Sequence, residues 1–196
     1  MNPKNKQEGC AAIIVVFIMC VFIGNMIFGG NNKDTKKAET VKTEQTSASS
    51  SIEDAKTLEN YAKNDRFLGE YEYNAEYDIY IVSGDLGTSF GDKTAIKSFN
   101  DIIYDAVHQG FKTDKPVVFR GWYNQQDTTL TGALIYFGVD NFNRDWAEIN
   151  FDSTKTYQFS DGWQMTSKFG QYLSSTSKAN DANIEKLLFN LSMLSK

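Results

Sequence analysis

The chain has 196 residues, 27 of them aromatic, with two cysteines, one histidine and a formal net charge of −5. A single histidine and no cysteine beyond Cys20 exclude Cys nucleophiles, thiolate zinc sites and multi-histidine metal centres within one chain, so no metal and no cofactor is expected. Residues 51–196 hold 14 Lys/Arg against 21 Asp/Glu, a net −7 that argues against nucleic-acid binding, which depends on neutralising phosphates with Lys and Arg.

Residues 1–10 read as a short N-terminal tail carrying Lys4 and Lys6. Ala11 to Phe28 is an 18-residue apolar run with no charged residue. Residues 11–30, as a helix, would span about 30 Å, the thickness of a bilayer's hydrocarbon core. The run is longer than the apolar region of a secretory signal, and no small-x-small pattern closes it. Cys20 follows Met19, where lipid attachment needs a small residue. An uncleaved transmembrane anchor over residues 11–30 is therefore expected, with the lipid bilayer as its partner.

Basic residues flank both ends of the run, Lys4 and Lys6 before it and Lys33, Lys36, Lys37 and Lys42 after it, so flanking charge does not orient the anchor. A Ser/Thr-rich spacer behind an N-terminal signal-anchor favours a cell-membrane protein whose C-terminal domain is extracytoplasmic. An inward-facing, membrane-recruited module is the alternative. Residues 31–51 contain Val41 and almost no other large apolar side chain, so they read as a disordered linker. Residues 52–196 read as one domain, because 24 of the 27 aromatic residues fall after residue 60.

Within that domain Ser51 to Asp65 reads as a helix with Ser51 as its cap. From Glu70 to Val82, Tyr71, Tyr73, Ala75, Tyr77, Ile79 and Ile81 share one phase while Glu70, Glu72, Asn74, Glu76 and Asp78 share the other. The unbroken phase predicts one long strand, or two pieces joined by a bulge or bend, rather than a tight hairpin at Asn74. Its acidic side predicts a solvated sheet face.

The stretch Ile81-Val82-Ser83-Gly84-Asp85-Leu86-Gly87-Thr88-Ser89 resembles the first phosphate-binding motif of the actin, hexokinase and heat-shock-chaperone ATPases, in which a strand leads into Asp-x-Gly-Thr. The resemblance covers nine residues and implies that Asp85 would help position a metal while the Gly87 and Thr88 backbone approaches phosphate. The same core resembles that of aspartic proteases, which need two carboxylates sharing a proton. The domain departs from both families: it is less than half the size of the two-lobed ATPases, and a helix follows the motif. The preferred reading is a strand-to-helix loop in which three glycines permit unusual backbone angles and Asp92 or Thr94 caps the helix.

Thr94 to Gln109 is the clearest helix, with Ile96, Phe99, Ile102, Ile103, Ala106 and Val107 on one side, His108 at its end and Gly110 as terminator. Val117 to Tyr123 and Leu130 to Val139 are apolar on both faces, as in central strands of a covered sheet. Trp146 to Phe151, Thr156 to Phe159 and Trp163 to Lys168 read as shorter strands. Asn180 or Asp181 caps a final helix with a stripe of Ile184, Leu187, Leu188, Leu191 and Leu194. The sum is an α+β domain, mainly an antiparallel sheet packed with helices.

The candidate binding residues are Asp85, Thr88, Trp122, Tyr123 and Trp163, the aromatic ones because large amphipathic side chains near loop ends commonly anchor partners. Those aromatics are equally good core material. Scarce Cys and Pro beside plentiful Asn, Lys and Tyr suggest an AT-rich bacterial or phage source. The expectation is a binding or accessory role at the cell envelope toward a protein or envelope partner. A membrane-anchored hydrolase using carboxylates around Asp85 is the alternative, and no catalytic residue is assigned.

Overall fold

A computed structural model of the chain describes residues 49–196, with side chains described from residue 57 onward. The expected anchor at residues 11–30 and most of the linker lie outside the described residues, among which no helix is long and apolar enough to cross a membrane.

Helix α1 (Ser49–Asn64) precedes a six-stranded sheet: β1 (Glu70–Asn74), β2 (Ile79–Asp85), β3 (Val117–Gln125), β4 (Thr128–Phe137), β5 (Gly162–Met165) and β6 (Ser177–Ala179). Spatial order follows sequence order. Each neighbouring pair is antiparallel except β2 and β3, which run parallel because α2 (Asp92–His108) carries the chain back between them. With α3 (Val139–Phe142), α4 (Ser167–Gly170) and α5 (Ala182–Ser192), this is the expected α+β class with a mostly antiparallel sheet.

Helices cover the two sheet faces unequally. On one face Leu58 and Ala62 of α1 join Ile96, Phe99, Ile103 and Val107 of α2 over Val82, Phe119 and Ile135. The buried positions of α2 recur at spacings of three and four, which is why its amphipathic pattern was legible. On the other face α5 lays Leu188 and Leu191 over Ile79, Ile81, Val118 and Leu134. Asp181 caps α5, its Oδ1 accepting the N–H groups of Asn183 at 2.8 Å and Ile184 at 3.0 Å.

Several expectations are corrected. β1 and β2 form a hairpin, with Asn74 opposite Ile79, rather than a continuous strand. Asn74 Oδ1 accepts the N–H groups of Glu76 and Tyr77 at 3.1 Å, and Asp78 takes a positive φ of 54°. The turn switches parity, so Tyr73 lies opposite Tyr80, and Glu72 opposite Ile81. The unbroken phase was therefore an accident of loop length. Trp146 to Phe151 is not a strand, and Ser153–Phe159 is a 3-10 segment. That segment is held to α2 by buried Asn100, whose Oδ1 accepts the Tyr157 N–H at 2.9 Å. The cap of α2 is Gly91, not Asp92 or Thr94; Asp92 opens the first turn, where its negative charge suits the dipole.

Candidate binding cleft at the ends of β2 and β3

Where neighbouring parallel strands part company and the chain leaves them in different directions, a crevice opens beyond the point of divergence. Here Asp85 at the end of β2 lies opposite Trp122 in β3. After them one connection turns into α2, while β3 continues to its hairpin with β4. The result is a cleft of about 410 Å³ whose lining includes Glu70, Asp85, Trp122, Asn124, Thr129 and Lys196.

Asp85 is exposed, and its Oδ1 accepts the Gly87 N–H at 2.9 Å. This closes a turn in which Gly87 has φ 60° and ψ 57°, a left-handed conformation suited to glycine. The Leu86 N–H donates to the Trp122 carbonyl at 2.8 Å, extending the β2–β3 pairing by one bond. Thr88 then opens a single 3-10 turn, and its carbonyl accepts the Gly91 N–H at 2.9 Å. The Asp-x-Gly-Thr sequence is thus a strand-to-helix turn. Of the three glycines from Gly84 to Gly91, Gly87 and Gly91 have positive φ, whereas Gly84 serves close packing.

A polar network adjoins the cleft and reaches its lining through Glu70, Trp122 and Lys196. Trp122 is 7 % exposed, and its Nε1–H donates to Glu70 Oε2 at 3.0 Å. Arg120, 5 % exposed, lays its guanidinium 4.1 Å from the centre of the Trp122 ring. Arg120 Nε donates to Ser83 Oγ and its Nη2 to Glu72 Oε1, both at 3.0 Å. Lys196 Nζ pairs with Glu70 Oε1, so both Glu70 oxygens are engaged.

Burial pulls the Arg120 guanidinium below its ordinary value, with Glu72 and Glu70 opposing that change. Partial burial raises the Glu70 carboxyl, but hydrogen bonds from Lys196 and Trp122 outweigh it and hold the group below its ordinary value. Glu70 is therefore an ionised acceptor, not a poised acid. The Thr129 hydroxyl donates to Asn124 Oδ1 at 2.7 Å rather than to a basic group that would activate it. This arrangement is equipped to recognise a donor-bearing ligand by charge and hydrogen bonds.

The structure brings Asp85 and Trp122 to one cleft. Tyr123 borders the same space but is 6 % exposed, with its ring edge-on to Phe169 at 5.2 Å on the opposite face. Thr88 stands past the cleft in the following turn. Trp163 lies apart on β5, 4 % exposed and packed edge-on against Tyr157 at 4.9 Å. Among the described residues its Nε1–H has no hydrogen-bond partner. All three aromatic candidates are thus core residues, and Trp122 alone has its polar atom engaged with the cleft's carboxylate.

Glu70 and Glu72 keep side chains 40 % and 54 % accessible, in keeping with a solvated face, and in addition ion-pair with Lys196 and Arg120. Arg120 was not singled out from sequence, although a lone charge inside the apolar run Val117 to Tyr123 signals a buried group that needs partners. Lys196 and Ser83 carried no such signal.

Comparison with protein-family models, curated proteins and solved structures finds no match to this chain.

Proposed function

We propose that this chain is a single-pass membrane protein whose residues 11–30 anchor it and whose acidic α+β domain stands on the extracytoplasmic side as a binding module. The partner on this reading is a protein or other envelope component that engages the cleft at the ends of β2 and β3. The observation that carries the binding assignment is the cleft's chemistry: Glu70 paired with Lys196 and Trp122, and an exposed Asp85 beside Trp122, with the Thr129 hydroxyl committed to Asn124. Such a surface offers hydrogen-bond acceptors and negative charge without an activated nucleophile.

Photo-crosslinking of the full chain in its own membrane tests this. A benzophenone side chain at position 124, on the cleft, is expected to give a discrete covalent adduct. The same group at position 158, on the 3-10 segment, is expected to give none. Equal labelling from both positions, or no adduct from position 124, would contradict the assignment.

A further inference from the structure

Strand β4 outruns its neighbour. It spans Thr128–Phe137, yet β5 pairs with it only from Ala133 to Tyr136 and the Thr166 N–H donates to the Gly132 carbonyl at 3.0 Å, so the stretch from Thr128 to Thr131 extends beyond β5. The segment after α5 lies along this open edge. Ser195 forms an antiparallel bridge with Leu130, and the Lys196 N–H donates to the Thr129 carbonyl at 3.0 Å. The Thr131 hydroxyl donates to the Leu194 carbonyl at 3.1 Å. From there the Lys196 ammonium reaches Glu70 in the cleft.

This is how an added strand binds a sheet edge: backbone bonds supply the register and one side chain enters a pocket. The hold is light. Met193 and Leu194 are exposed, and the Lys196–Glu70 pair has side chains 58 % and 40 % accessible, so solvent screens it. Segments secured by a few exposed hydrogen bonds open at the low end of a protein's stability range.

Resting on the binding reading above, we infer that residues Leu194–Lys196 are a displaceable internal strap, and that the cleft and the open edge of β4 take a basic, extended segment of a partner protein. The partner's lysine or arginine replaces Lys196 on Glu70, and its backbone replaces the strap on β4. Charge complementarity favours this occupant, because residues 51–196 carry a net −7 and Asp85 adds a second carboxylate to the rim.

The test uses the purified full chain in detergent micelles and a fluorescent peptide of this chain's own residues 190–196 as probe. If the strap is closed in about nine molecules of ten, opening it raises apparent affinity about tenfold. The Lys196→Gln chain loses a screened ion pair but keeps the strap's backbone bonds, so it opens only in part and is expected to bind the peptide about threefold more tightly than the native chain, and the Lys196→Arg chain like the native one. Glu70→Gln, which keeps an acceptor for the Trp122 N–H, is expected to weaken binding to the Lys196→Gln chain. A peptide with glutamine in place of its lysine is expected to bind poorly. Equal affinity of the native and Lys196→Gln chains, or indifference to the peptide's lysine, would overturn the inference. Since the assay needs neither membrane nor cellular partner, its failure leaves the crosslinking result standing, and the reverse also holds.

Discussion

Replacing Gly84 by alanine is expected to destabilise the domain by about 3 kcal/mol, the upper end of what overpacking a tight interior costs. A Cβ built at Gly84 would lie 2.1 Å from the Phe67 carbonyl oxygen and 2.9 Å from the Leu68 Cα, both backbone atoms that cannot rotate aside. The approach is fixed from outside β2 as well, since the Asp85 N–H donates to that Phe67 carbonyl at 3.2 Å and Asp65 Oδ1 accepts the Phe67 and Leu68 N–H groups. Relief requires moving either the β2 end or the 65–69 segment, and with them the cleft. Gly87→Ala is the informative comparison. Nothing lies within 4 Å of a Cβ there, so only its left-handed φ is penalised, at about 1 kcal/mol. Urea unfolding of both variants measures the difference, and equal costs would mean that the close approach at Gly84 is not a constraint.

Trp146→Ala is expected to cost about 4 kcal/mol, in the range for truncating a fully buried aromatic side chain. Trp146 is buried in the larger core cluster, edge-on to Phe137 at 5.7 Å, with the Arg144 guanidinium 3.7 Å from its ring centre. Its Nε1–H donates to the Phe142 carbonyl at 3.1 Å. The residue therefore fills volume and fastens the irregular connection after β4. Trp146→Phe retains much of the volume but loses that hydrogen bond, so it should fall well short of the alanine cost, at about 2 kcal/mol. Comparable losses in the two variants, again by urea unfolding, would show that the indole's volume is not what matters.

These two sites mark where sequence reading stops. The α2 and α5 helices were legible because each repeats an apolar pattern at helical spacing and is bounded by recognisable punctuation, Gly110 after the end of one and Asp181 before the start of the other. β3 and β4 were legible as central strands because both faces are apolar. Trp146 to Phe151 was misread because buried aromatics in a loop imitate a strand when burial comes from a few large side chains rather than from alternation. The β1–β2 hairpin was hidden by its turn length, which happened to keep the hydrophobic phase running through residues 75–78 while the faces exchanged.

The cleft was partly legible. Asp85 and Trp122 were singled out separately, one from a short motif and one as an aromatic beside a loop, and parallel pairing of β2 with β3 is what makes them neighbours. Arg120 is joined to Glu72 across 48 positions, and Glu70 to Lys196 across 126, so neither link has a local pattern. Such partners emerge only once strand order is known.

Protease shaving of intact cells tests the central claim of an extracytoplasmic domain most directly. With a tag after residue 196, loss of the domain from intact cells is expected while a cytoplasmic marker survives. A domain that survives on intact cells and is digested only after lysis lies on the inner side, contrary to the extracytoplasmic assignment.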